Sequence, residues 1–231
     1  MLEGDALAGH ADLSERVAVT AMSVVGLGGS LRETSRSRAA LEVALAGAAG
    51  AGAGATVELL DLRRLELPMY SPELEADVPE VVRTLLEACY DADGMLWSSP
   101  MYNRSVSGSF KNAIDWLHML GSREPSFLHD EVIGLISAAG GTQGLQVVNT
   151  MEFSVRSLRA WAVPYVVPVA QAPGVFADSG DVQNRAVEQQ LRLLGEEVVR
   201  VAGRLARDPA VHRQLKCDEA AEHVGRSVHA S

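Results

Sequence analysis

Residues 26–38 read GLGGSLRETSRSR and set glycines, hydroxyls and arginines between an apolar run and an alanine-rich one. The spacing is not that of a dinucleotide-binding loop, because Gly26 and Gly28 fit but the third glycine position holds Leu31. Nor does the stretch contain the Gly-Lys-Ser/Thr of a nucleoside-triphosphate loop. It offers hydroxyls at Ser30, Thr34, Ser35 and Ser37, a guanidinium at Arg32, and the free backbone N–H groups of a starting helix. A terminal phosphate monoester has three oxygens to satisfy, and a helix amino end carrying hydroxyls supplies donors for them. Capping the helix needs Ser35 alone, so the remaining donors point to an anion. Arg36 and Arg38 read as solvent-facing helix positions and stay outside the site.

Two more stretches have the composition of a site. SSPMYNRSVSGSFKNAIDWL (98–117) carries Pro100, which stiffens a strand exit, then Met101, and then an aromatic plane and an amide at Tyr102 and Asn103. Such a segment suits a flat heterocycle, with backbone groups reaching ring edges and side chains covering a face. A turn followed by an amphipathic helix explains Phe110 through Leu120, but not the composition of 100–105. Lys111 and Asp115 are spaced as a helix-surface ion pair. SAAGGTQG (137–144) pairs Gly140 with Gly141 after an apolar run that ends near Ser137, and two glycines let a loop approach a ligand plane without Cβ interference.

The elements that must position these stretches alternate along the chain. Buried strands are expected at 16–26, 55–62, 94–100, 131–139 and 164–170. Helices are expected at 35–50, 78–92, 108–120, 142–162 and 181–206, the second with Pro79 in its first turn. Phe110, Ala113, Ile114, Leu117 and Leu120 form one apolar stripe, and Val147, Val148, Met151, Val155, Leu158 and Ala162 another. Five strands alternating with five helices give parallel βαβ units and one α/β domain, its sheet covered on both faces. The low alternation inside the strands agrees, since parallel strands are buried on both sides. The domain is expected over 16–207, with 1–15 a flexible N-terminal extension and 208–231 a polar C-terminal tail. A sheet of this kind takes its ligand at the carboxyl ends of the strands, where the strand order reverses. The three stretches follow strands one, three and four.

Bulk properties narrow the partners. Thirty acidic against twenty basic side chains give a net charge of −10, which argues against nucleic acid. An anion must therefore be held by a few donors aimed at one point. Cys89 and Cys217 form no CxxC pair and read as ordinary thiols of a reducing compartment. His118 and His129 stand alone, and the tail histidines His212, His223 and His229 are too irregular for a metal site. The first sixteen residues carry acidic charges without a continuous apolar core, unlike a signal peptide, and no stretch reaches the roughly 20 apolar residues of a membrane span. A soluble, cytoplasmic protein is expected.

In that order, GSLRETSRSR, SPMYNRSVSGSFKNAIDW and SAAGGTQG resemble the flavodoxin-like NAD(P)H-dependent FMN reductases, which include chromate and azo-dye reductases. The likeness runs over roughly residues 17–205. It implies a flavodoxin-like three-layer sandwich with a five-stranded parallel sheet in the order 2-1-3-4-5. It implies that Ser30, Arg32, Ser35 and Ser37 hold the FMN phosphate, with Thr34 an extra donor. Pro100, Met101, Tyr102 and Asn103 would line the isoalloxazine ring, and Ser137, Gly140 and Gly141 would close the other side. Many members carry Glu where this chain has Met101, so Met101 takes a backbone role only. NADPH or NADH would be the co-substrate, and no protein acid or base is needed, because the flavin carries the electronic work. The acceptor could be a flavin, a quinone, an azo dye, an oxyanion or a nitro compound, and a flavin-using monooxygenase is a compatible partner. A site adapted to a biosynthetic step is compatible too. The rival reading is a flavodoxin-type electron carrier or redox sensor without nicotinamide activity, but such proteins carry a compact Thr/Ser-Gly-Thr-rich phosphate loop where this chain has Arg32. Trp116, Met119, Phe153 and Trp161 exceed the apolar stripe one sheet face needs, and members assemble through this region, so a homodimer or homotetramer is expected.

Overall fold

The structure is a computed structural model that describes residues 22–52 and 54–205. In chain order it forms β1 (Met22–Gly28), α1 (Arg36–Ala49), β2 (Ala55–Asp61), α2 (Leu62–Leu65), α3 (Glu80–Tyr90), β3 (Gly94–Pro100), α4 (Gly108–Trp116), β4 (Val132–Ala138), α5 (Leu145–Ser157), β5 (Trp161–Ala162), β6 (Val167–Val169) and α6 (Arg185–Leu205). All strand pairs are parallel, in the order β2-β1-β3-β4, with β5 and β6 both paired along the free edge of β4.

Neighbouring residues of each central strand serve opposite layers. Val25, Leu27, Met95, Trp97, Ile133 and Leu135 pack with α3, α4 and α5, while Val24, Leu96, Val132 and Ile136 pack with α1 and α6. This burial on both faces is why the strands show no polar alternation. Glycines set the tightest contacts. A Cβ on Gly195 of α6 would lie 1.9 Å from Ala44 O, so α1 and α6 cross with their backbones almost touching. A Cβ on Gly26 would meet Leu45 at 2.8 Å, so β1, which runs on to Gly28 past its expected end at 26, packs close against α1 there. The part of the expected first strand at 16–21 lies outside the described residues, as do the 1–15 and 208–231 segments and Cys217.

Other differences have local causes. The expected fifth strand at 164–170 is shortened to β6, and β5 precedes it inside the range expected for the helix at 142–162; the chain leaves β4 between Val163 and Val167, where Pro164 has no N–H to give a ladder. Helix α5 stops at Ser157, five residues early, since Arg159 takes a left-handed φ of 62° and Trp161 then pairs with Val132. Helix α6 begins at Arg185, where Asn184 Oδ1 accepts the N–H groups of Ala186 and Val187 at 3.0 and 3.2 Å. Trp116 belongs to the core: it is fully buried, meets Tyr70 edge to face at 5.2 Å, and donates its indole N–H to Pro68 O at 2.9 Å. Phe153 and Trp161 are exposed, and Met119 is half-buried. Burial, with Glu131 and Glu58 nearby, pushes the Cys89 thiol above its ordinary range, so it is no nucleophile.

Candidate functional site

Strand register brings the three stretches together. Gly28 lies beside Ser98, Ser98 beside Ile136, and Pro100 beside Ala138, so the loops after β1, β3 and β4 leave one edge of the sheet side by side.

The first loop is wired from within. Ser30, Ser35 and Ser37 are buried while Arg32 and Thr34 are exposed. Ser30 Oγ accepts the Arg32 N–H at 3.2 Å, which leaves the hydroxyl proton of Ser30 unused. Ser35 caps α1 by accepting the Arg38 N–H at 3.2 Å, and its Oγ lies 3.0 Å from Ser37 Oγ. Whichever of those two hydroxyls donates to the other, one proton of the pair remains for an outside acceptor. The N–H groups of Arg36 and Ser37 have no acceptor among the described residues, as the first turn of a helix requires. Arg36 and Arg38 are not the solvent-facing residues expected. They are half-buried, 4.0 Å from Asp178 and 3.2 Å from Asp61 respectively. Arg32, by contrast, has no ion-pair partner among the described residues.

Serines that sequence reasoning passed over tie this loop to the next. Ser98 Oγ donates to Ser37 O at 2.8 Å, and the Gly29 N–H donates to Ser98 O at 2.8 Å. Gly29 O accepts from Ser107 Oγ and, at 3.0 Å, from Ser109 Oγ. Ser107 also caps α4, taking the Phe110 N–H at 3.2 Å. A serine three residues ahead of an apolar stripe is a helix-start signal that could have drawn attention to Ser107.

The second and third loops are more open. The Met101 N–H donates to Ala138 O at 3.1 Å, so only its carbonyl is left for a ligand. Tyr102 and Ser105 exchange two backbone hydrogen bonds of 3.0 Å around Asn103 and Arg104, whose φ values of 49° and 65° are those of a type I′ turn. That turn lifts Tyr102 to 46% exposure. Ser137 is fully buried and donates to Gly144 O at 2.8 Å, so its hydroxyl fixes the loop from below. Gly140 and Gly141 are exposed, and a Cβ on either would meet nothing within 4 Å. No contact among the described residues requires glycine there, and what the two residues leave is room for a flat group.

A cavity of about 340 Å³ lies elsewhere, between β6 and the start of α6, lined by Val167, Val169, Gln171, Val175, Asn184 and Val187. It lacks a cation and hydroxyl donors. His118 and His129 are exposed, with His129 Nε2 at 3.5 Å from Asp130, and Lys111 pairs with Asp115 on the surface of α4.

A sequence model of the NADPH-dependent FMN reductases matches residues 22–174, which span all three loops. The chain belongs to the NADPH-dependent FMN reductase family. Among curated proteins similar to this reductase, an NADPH:quinone oxidoreductase of Arabidopsis thaliana is 36% identical over 194 residues, covering 76% of this chain and 91% of that one. An NAD(P)H-dependent FMN reductase of Pseudomonas aeruginosa is 28% identical, over 79% of this chain and 98% of that one. Among solved structures, the flavoenzyme FerB, an NAD(P)H:(acceptor) oxidoreductase from Paracoccus denitrificans, shares the fold with a TM-score of 0.65 at 23% identity, over 79% of this chain and 98% of that one.

This reductase is thus an oxidoreductase that takes hydride from NAD(P)H to FMN and on to a small acceptor. The residues present fit that cofactor: unpartnered donors suited to a phosphate stand at one end, and a glycine-floored opening suited to a ring at the other. FMN, when bound, supplies the electron-transfer chemistry. The chain has to hold it and leave one face accessible.

Proposed function

We propose that Ser30, Arg32, Thr34, Ser35 and Ser37 hold the FMN phosphate. Pro100, Met101 through its carbonyl, Tyr102 and Asn103 flank one side of the ring, and Gly140 and Gly141 the other, with Ser137 as the post beneath them. The observation that carries this reading is the set of donors at the start of α1 with no acceptor among the described residues, on the same sheet edge as a loop built around two exposed glycines, with only β3 between them. The electron acceptor is a quinone. The Arabidopsis relative, whose length this chain covers to 91%, is named for that reaction, and a quinone is a flat ring that can occupy the open face after the nicotinamide leaves. A quinone acceptor is favoured over a flavin-using monooxygenase as the consumer of electrons.

The protein works in the cytoplasm as a homodimer or homotetramer, and its reductase domain spans 16–207. No helix among the described residues is long and apolar enough to cross a membrane. Leu145 and Phe153 on α5, and Trp161 on β5, are each more than half exposed, apolar surface that a second copy would cover. Light scattering is expected to give at least twice the 24.6 kDa chain mass, and a monomer at micromolar concentration contradicts the assembly. The functional test is steady-state oxidation of NADPH and NADH by FMN-loaded protein with a benzoquinone, an azo dye and free FMN as acceptors. Quinone turnover above the rate with oxygen alone is the expected result. FMN loading without oxidation of either nicotinamide would leave a carrier instead.

A further inference from the structure

Asp61, the last residue of β2, is 5% exposed and lies beside Gly28 in the sheet. Its carboxylate accepts from Arg38 Nη1 at 3.2 Å and from the Arg63 N–H at 3.0 Å, with Arg64 Nε at 3.8 Å. Both of the first two arginines then reach the first loop. Arg38 Nη2 donates to Glu33 O at 3.0 Å, and Arg63 Nη1 donates to Leu31 O at 3.0 Å. One buried carboxylate therefore holds the Arg38 guanidinium and the Arg63 backbone N–H, and the guanidinium groups of these two arginines grip alternate carbonyls of the loop.

We infer that Asp61, Arg38 and Arg63 form a clamp that sets the loop's N–H groups toward the cofactor phosphate, with Asp61 as its positioning residue. The inference rests on the assignment of the phosphate to residues 30–37. The physical reason is peptide planarity. In a trans peptide the C=O and N–H point opposite ways, and the one cis bond among the described residues is Glu124–Pro125. Holding Leu31 O turns the Arg32 N–H away from Arg63, where it meets Ser30 Oγ and orients that hydroxyl. Holding Glu33 O turns the Thr34 N–H away from Arg38, and that N–H has no acceptor among the described residues. The ion pair with Asp61 also occupies Arg38, whereas Arg32 has no ion-pair partner among the described residues.

The clamp and simple electrostatics predict opposite signs. Removing a carboxylate close to an anion site should tighten anion binding, more so if it frees Arg38. Losing the clamp should weaken it. The experiment measures dissociation constants of FMN and of riboflavin, which lacks the phosphate, by flavin fluorescence for the wild-type chain, Asp61→Asn, Arg63→Met and Arg32→Ala, each with its thermal midpoint. Asp61→Asn is expected to weaken FMN on the order of tenfold, the scale on which outer-shell partners act, with riboflavin unchanged. Arg63 is exposed, so Arg63→Met keeps the fold and is expected to weaken FMN severalfold, again sparing riboflavin. Unchanged or tighter FMN binding in Asp61→Asn overturns the clamp, as does an equal loss for both flavins. If Asp61→Asn does not fold, wild-type FMN affinity in Arg63→Met overturns it alone. Arg32→Ala separates the two failures: if it leaves FMN affinity intact, the phosphate assignment is wrong. If Arg32→Ala weakens FMN and the clamp variants do not, only the clamp is wrong.

Discussion

The two ends of the site are built differently. At the proposed phosphate end Ser30, Ser35 and Ser37 are 4%, 8% and 2% exposed, and their loop is tied to β3 and α4 through Ser98, Ser107 and Ser109. At the ring end Tyr102 is 46% exposed on a two-residue turn, and Gly140 and Gly141 border open space. A preorganised anchor lowers the ordering cost of holding the cofactor. An open ring end lets a nicotinamide and then an acceptor use the same face. On the proposed assignment, affinity and acceptor choice rest on separate residues and should respond to separate mutations.

The largest expected effect on FMN affinity is at the anchor. Arg32→Ala removes a charge-assisted contact worth about 1.5–3 kcal/mol, or roughly ten- to a hundredfold in FMN affinity. Because Arg32 is exposed and has no ion-pair partner among the described residues, the thermal midpoint should stay put. A midpoint that falls with it would make Arg32 structural. Next is Gly141→Val at the ring end. The free protein has room for the new side chain, so its stability should hold while FMN binds severalfold more weakly. Equal FMN affinity would move the ring away from that loop. Smallest in stability is Tyr102→Ala, expected within about 0.5 kcal/mol as for surface positions, with an altered quinone KM as its signature. Trp116→Ala is the contrast, since a fully buried indole should cost about 3–5 kcal/mol on truncation.

How much of this was legible in the sequence follows the same division. The proposed phosphate end draws on contiguous donors, Ser30 to Ser37, which the sequence displays without knowledge of the fold. The strand order that sets the three loops side by side was likewise implied, and the structure has it. Asp61 was not readable as part of the site, because it meets Arg38 across 23 residues and through strand pairing alone. Trp116 was misread for a related reason. Its partners Tyr70 and Pro68 sit in an irregular segment after α2 with no periodicity, so the helix seemed to carry a surplus aromatic. The fifth strand starts at Val167 and not at 164, because Pro164 lacks a donor, a signal visible in the sequence but outweighed by the apolar run around it.

The central claim is that FMN lies across the ends of β1, β3 and β4, with its phosphate at the start of α1. Amide hydrogen exchange, measured on the free protein and with saturating FMN or riboflavin, tests it most directly. FMN is predicted to slow exchange over 29–38, 100–106 and 139–144, whereas riboflavin should protect only the last two. Protection by FMN over 167–190, around the cavity beside β6, with none over 29–38, would contradict the account.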